Sequence, residues 1–134
     1  MHQLIKILEI KPCGCDAEGK IDVLLIDAGI QIECDYQASD EHIKSLFPLG
    51  SVQQADISLW LDTIKLTDKR EFTLQPTVIG KYTGVFNKEE DDFFGIDSVI
   101  SILATNEFND YQEPAVVGQW VEAKGSFYID WLDS

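Results

Sequence analysis

No apolar run in this 134-residue chain exceeds four residues, Val23 to Ile26 among them, against the roughly 20 needed to cross a bilayer as a helix. A helical membrane span is therefore excluded. Prolines number four and glycines nine, while 45% of residues are hydrophobic and 10% aromatic, which excludes a disordered chain and supplies a core. Three cysteines cannot all pair within one chain, and a domain of this length needs no disulfide staples, so reduced thiols are expected. The N-terminus, Met1-His2-Gln3-Leu4-Ile5-Lys6 followed by Glu9 and Pro12, shows neither the apolar core nor the small-residue cleavage site of a signal peptide. A cytoplasmic location is the expectation.

Basic residues are scarce as well, 10 Lys and Arg against 24 Asp and Glu, for a formal charge of −14. Phosphate contacts depend on Lys and Arg releasing counterions, so this surplus argues against duplex nucleic acid and anionic membranes as partners. The charge is unevenly spread: −7 over residues 1–63 (11 acids, 4 bases), +3 over 64–88 (2 acids, 5 bases) and −10 over 89–134 (11 acids, 1 base). Lys65, Lys69, Arg70, Lys81 and Lys88 are thus the material for one local positive patch.

Most of the chain has the period of two that marks half-buried strands. Ile30, Ile32, Cys34 and Tyr36 alternate with Gln31, Glu33 and Asp35. Ala55, Ile57, Leu59 and Leu61 repeat the pattern over 55–61, and Val121, Ala123, Phe127, Ile129 and Trp131 over 121–131. Apolar stretches at 4–10, 21–26, 72–74, 78–86 and 96–103 supply further strand candidates. The turn Cys13-Gly14-Cys15-Asp16-Ala17-Glu18-Gly19 joins the first two strands, and Asp27-Ala28-Gly29 reverses the chain into the third. One short helix is expected, capped at Ser39 or Asp40, running to Leu46 and stopped by Pro48 and Gly50.

Two internal matches suggest duplication. Ile26 to Ile32 resembles Ile96 to Ile102 at an offset of 70, and Gly50 to Asp62 resembles Gly118 to Asp130 at an offset of 68. The chain is then either one compact β domain over 1–134 or two closely packed repeats, 1–67 and 72–134, of one β unit. Each half reads hairpin, third strand, helix or loop, then a long strand entered through a glycine. That order, with Gly80-Lys81-Tyr82-Thr83-Gly84-Val85 and Val117-Gly118-Gln119-Trp120-Val121, resembles a small antiparallel OB-like barrel, the fold class expected here. The resemblance is topological, the second half has 106–114 where a helix would stand, and an SH3-like barrel or a β-sandwich fits the turn spacing nearly as well.

Chemistry is sparse. Cys13 and Cys15 with Cys34 and a histidine would make a four-ligand zinc set, but the usual two-residue spacing of a zinc knuckle is absent and Cys34 falls on an apolar strand face, so no metal and no cofactor is expected. His2 and His42 are the only histidine bases, and no nucleophile elbow, phosphate loop or dinucleotide fingerprint accompanies them; no catalytic residue is assigned and the chain is read as a non-enzyme. The run Glu89-Glu90-Asp91-Asp92 lacks the alternating ligands and glycine of a calcium loop and reads as a solvated loop.

Aromatics carry the functional reading. Trp60, Trp120 and Tyr128 fall on the polar faces of their strands, where rings either bind ligands or pack as the strands twist. Phe93 and Phe94 adjoin the acid run Glu89 to Asp92, and Glu107, Phe108, Asp110 and Tyr111 repeat that composition. Carboxylates steer a basic protein into contact while buried rings lengthen its residence. The reading is a non-catalytic acidic module that binds a basic protein as an inhibitor, immunity protein or adaptor. The alternative is an OB-like module that stacks single-stranded nucleic acid or oligosaccharide on Trp60, Trp120 and Tyr128.

Overall fold

The computed structural model describes the chain except Met1, Pro76 and residues 89–90, 106–116 and 132–134; for 84–88, 91–94 and 105 it describes the strand backbone alone. Among the described residues eight strands and one helix follow in order: β1 (His2–Pro12), β2 (Gly19–Leu25), β3 (Ile30–Tyr36), α1 (Asp40–Leu46), β4 (Val52–Leu66), β5 (Val78–Lys88), β6 (Asp91–Asp97), β7 (Ser101–Thr105) and β8 (Trp120–Trp131). The fold is all-β with one short helix.

The strands form one sheet in the order β1-β2-β3-β8-β4-β7-β6-β5, and additional β1–β4 and β8–β5 pairings close it. Two five-stranded rings result, one through β1, β2, β3, β8 and β4, the other through β5, β6, β7, β4 and β8. In each, a three-strand antiparallel meander meets the next strand in parallel: Cys34 is registered with Phe127, and Ala104 with Leu59. A meander, a parallel closure and a helix between the third and fourth strands make the first ring an OB-like barrel.

The chain divides into two compact units, Met1–Ile57 with Phe127–Ser134, and Ser58–Ser126. Both long strands change unit along their length, β4 after Ile57 and β8 before Phe127. In the first unit, alternation buries Ile5 and Ile7 on β1, Ile21, Val23 and Leu25 on β2, and Ile32, Cys34 and Tyr36 on β3. Leu8 follows the alternation outward and is 37% exposed, and a register shift between Ile7 and Glu9 marks a bulge at its position. Ser39 caps α1 by accepting a hydrogen bond from the His42 amide at 3.2 Å, and the helix buries Ile43 and, one residue past its end, Phe47. In the second unit Leu59, Leu61, Val78, Tyr82, Ile102 and Val121 are buried. Ser98, the one buried polar residue among those described, lies with its hydroxyl 2.6 Å from the Ile79 carbonyl and 2.9 Å from that of Thr73, which holds the segment before β5 against the β6–β7 turn.

Four expectations are corrected. Cys13 and Cys15 are joined by a disulfide rather than reduced; one intervening glycine, at φ +90°, lets the turn fold back far enough for the sulfurs to meet. The stretch 96–103 is two strands, because Ser98 to Ile100 form the turn between β6 and β7; an apolar run hides a reversal when its turn residues are themselves buried or half-buried. Residues 72–74 make only an isolated bridge, Thr73 to Ile79. Trp131, expected inward, is half-buried on the rim, with His42 against it at 5.2 Å between ring centres.

Candidate functional site

β8 opens at Trp120, and its alternation turns Val121 and Ala123 into the core while Trp120, Glu122 and Lys124 face outward. β5 runs beside it with Lys81 opposite Trp120, so the Lys81 ammonium lies 5.6 Å from the centre of the indole ring, within cation–π range. Beyond β4 the chain turns back across the start of β8, where the Thr67 amide donates to the Trp120 carbonyl at 3.1 Å. Phe72, further along that segment, stacks on Trp120 with ring centres 5.0 Å apart and planes tilted by 30°. Phe72 is 47% exposed, so the pair presents ring surface to solvent.

The same face gathers the basic segment. Lys65 pairs with Glu122 at 3.1 Å. That hydrogen bond, with smaller contributions from the charges of Lys69 and Lys124, holds the Glu122 carboxyl below its ordinary range. Lys81 thus lies against Trp120, while Lys65, Lys69 and Lys124 act on Glu122, two residues further along the same outward face of β8. In a chain of charge −14 these four lysines, with Asp68 and Glu71 on the same connecting segment, all belong to the second unit.

The rings singled out from the sequence do not form one cluster. Trp60 and Trp120 belong to the second unit and Tyr128 to the first, and all three are half-buried. Burial raises the Tyr128 hydroxyl above its ordinary range, and the charges of Asp130, Asp35 and Glu18 add to the effect, so this ring sits among carboxylates. Asp91, Asp92, Phe93 and Phe94 correct the expected loop: they lie on β6, opposite Lys88, Asn87, Phe86 and Val85, where the hairpin ladder continues almost to its tip. Glu89, Glu90, Glu107, Phe108, Asp110 and Tyr111 lie outside the described residues. Phe72 was not among the residues singled out; its signal was an aromatic closing the basic run Lys69-Arg70-Glu71.

Elsewhere in the first unit Lys11 and Lys20 bridge the outer faces of β1, β2 and β3. Lys11 pairs with Glu33 and, at 3.2 Å, with Asp22; Lys20 pairs with Asp35 at 2.9 Å. Bulged Leu8 and Leu49 line an apolar cleft of about 380 Å³ over Phe47, with Glu9 and Lys44 among its lining residues. The four-ligand zinc set does not assemble: Cys34 is fully buried on the core face of β3, and burial pushes its thiol far up.

Fold and face together define an OB-like β protein carrying an aromatic, cation-flanked surface. No family model and no curated protein matches the sequence. Among solved structures the chain is similar to the cytoplasmic molybdate-binding protein ModG, in its PEG-grown crystal form with molybdate bound: TM-score 0.51 over 96% of this chain and 94% of that one, at 12% identity. The likeness carries the fold.

Proposed function

We propose that the chain is a non-catalytic binding module whose ligand face is Trp120, Phe72 and Lys81 of the second unit, and that its ligand is a small anion bearing a planar ring. The observation that carries this reading is the Phe72–Trp120 stack beside the Lys81 ammonium: the rings offer a surface for stacking and the lysines a counter-charge. A long single-stranded nucleic acid has the same chemistry, but −14 of net charge opposes a polyanion more than a single phosphate. An oligosaccharide would use the rings and leave the lysines idle. The structural neighbour's ligand, molybdate, is a small anion, which supports the ligand's size and charge and leaves the ring to be tested. That neighbour is cytoplasmic, in keeping with a cytoplasmic site of action.

Calorimetric titration with adenosine monophosphate, adenosine, inorganic phosphate and molybdate tests the proposal. Adenosine monophosphate is expected to bind tightest and to weaken with added salt. Molybdate binding without adenosine monophosphate binding would replace the ring-bearing ligand by a compact oxyanion, and no binding by any of the four would remove the face as a small-anion site.

A second reading, recognition of a basic protein by an inhibitor, immunity or adaptor module, draws on Tyr128 set among Glu18, Asp35 and Asp130. Half-buried rings ringed by carboxylates are suited to such an interface. The strand register bears on duplication as well: the sequence offsets of 70 and 68 carry the parallel pair Cys34–Phe127 onto Ala104–Leu59, which supports two copies of one β unit.

A further inference from the structure

The β1–β2 turn holds two cysteines that the binding reading does not use. Cys13 and Cys15 are both exposed and bonded to each other across Gly14. A disulfide stabilises a fold mainly by closing a long loop in the unfolded chain, and this one closes almost none. It is therefore not a structural staple. The turn itself is held without it. The Cys13 amide donates to the Glu18 carbonyl at 3.2 Å, Pro12 is registered with Gly19 at the foot of the hairpin, and the Asp16 carboxylate accepts the Asp40 amide at 2.7 Å. Two thiols on a turn fixed at three points stay close when reduced, so each remains at high effective concentration for the other. The Cys15 amide donates to the Cys13 sulfur at 3.1 Å, and with this backbone donor beside it Cys13 is assigned as the attacking sulfur.

We propose that Cys13-Gly14-Cys15 is a thiol–disulfide exchange site that works with low-molecular-weight thiols and disulfides of the glutathione class. In the oxidising direction the Cys13 thiolate attacks one sulfur of the external disulfide; the Cys13–S–S–R bond forms, the external bond breaks and one thiolate leaves. Cys15, its proton lost to water, then attacks the Cys13 sulfur. The Cys13–Cys15 bond forms, the mixed disulfide breaks and the second thiolate leaves. Two electrons pass from the protein dithiol to the external disulfide, and the two released thiolates take up the two protons. Cys34, fully buried on β3, stands outside the exchange.

The full-length protein equilibrated over a series of reduced-to-oxidised glutathione ratios, quenched in acid, alkylated and weighed by mass spectrometry, tests this. A single two-electron transition at Cys13 and Cys15 is expected, with Cys34 unmodified while the protein is folded. Cys15→Ser should stop at one glutathione on Cys13, and Cys13→Ser should acquire its adduct on Cys15 several-fold more slowly. Circular dichroism checks that both variants fold. Thiols at every ratio, a bond that no ratio reduces, or a Cys15→Ser protein that takes up no glutathione would each overturn the proposal.

Discussion

Gly125 lies on β8 where a side chain would have to occupy the place of a neighbouring backbone: a methyl group there would overlap the Trp60 carbonyl and crowd the Leu61 Cα. Neither can retreat without breaking the β4–β8 contact, so Gly125→Ala should cost about 2–4 kcal/mol, the range of severe core strain, measured by urea denaturation. Exposed charges follow a different rule. The Lys11 hydrogen bond is the main cause that holds the Glu33 carboxyl below its ordinary range. A carboxyl depressed in the folded state stabilises above its unfolded value, near pH 4.3, and that stabilisation is lost as pH falls through the lower folded value. Lys11→Met should therefore lower the urea midpoint at neutral pH and leave it nearly unchanged in strong acid. The pair is solvent-exposed, so the difference should shrink with added salt.

Elements show how much a local pattern reveals. The capping signal at Ser39 or Asp40 located the start of α1 to within one residue, and Ser39 is the cap, because a cap is a local hydrogen bond to the first turn. Ser39→Ala should cost about 1 kcal/mol, read as a lower melting temperature with unchanged strand signal in circular dichroism. Alternation identified the inward faces of β3 and β4, with Ile32, Cys34, Tyr36, Ala55, Ile57 and Leu59 all buried. It failed where the determinant was non-local. Nothing in 52–66 or 120–131 says that each strand would change unit midway, since a period of two specifies a face and not a neighbour. Ile96 to Leu103 read as one strand because its turn is capped from a distance, through Ser98 and the carbonyls of Thr73 and Ile79. Phe72 escaped the sequence reading for a similar reason: its stacking partner, Trp120, is 48 residues away in the chain.

At the scale of the molecule, a chain with 24 acids and 10 bases concentrates cationic side chains around an aromatic pair in its second unit and neutralises acids with Lys11 and Lys20 in its first. The net charge and the basic middle segment were legible from composition; the site was not, because Lys81 and Phe72 meet Trp120, and Lys65 meets Glu122, only once β4, β5 and β8 are paired. The central claim is that this face binds a ring-bearing anion, and the most direct measurement is the change in tryptophan emission on adding adenosine monophosphate at low salt to the wild-type protein and to Trp120→Phe and Lys81→Met. The account predicts a saturable change in the wild type, its loss in Trp120→Phe with the fold intact, and about two- to fivefold weaker binding for Lys81→Met, the magnitude of an exposed cation contact. A saturable change that persists in Trp120→Phe, or affinity indifferent to Lys81, would contradict it.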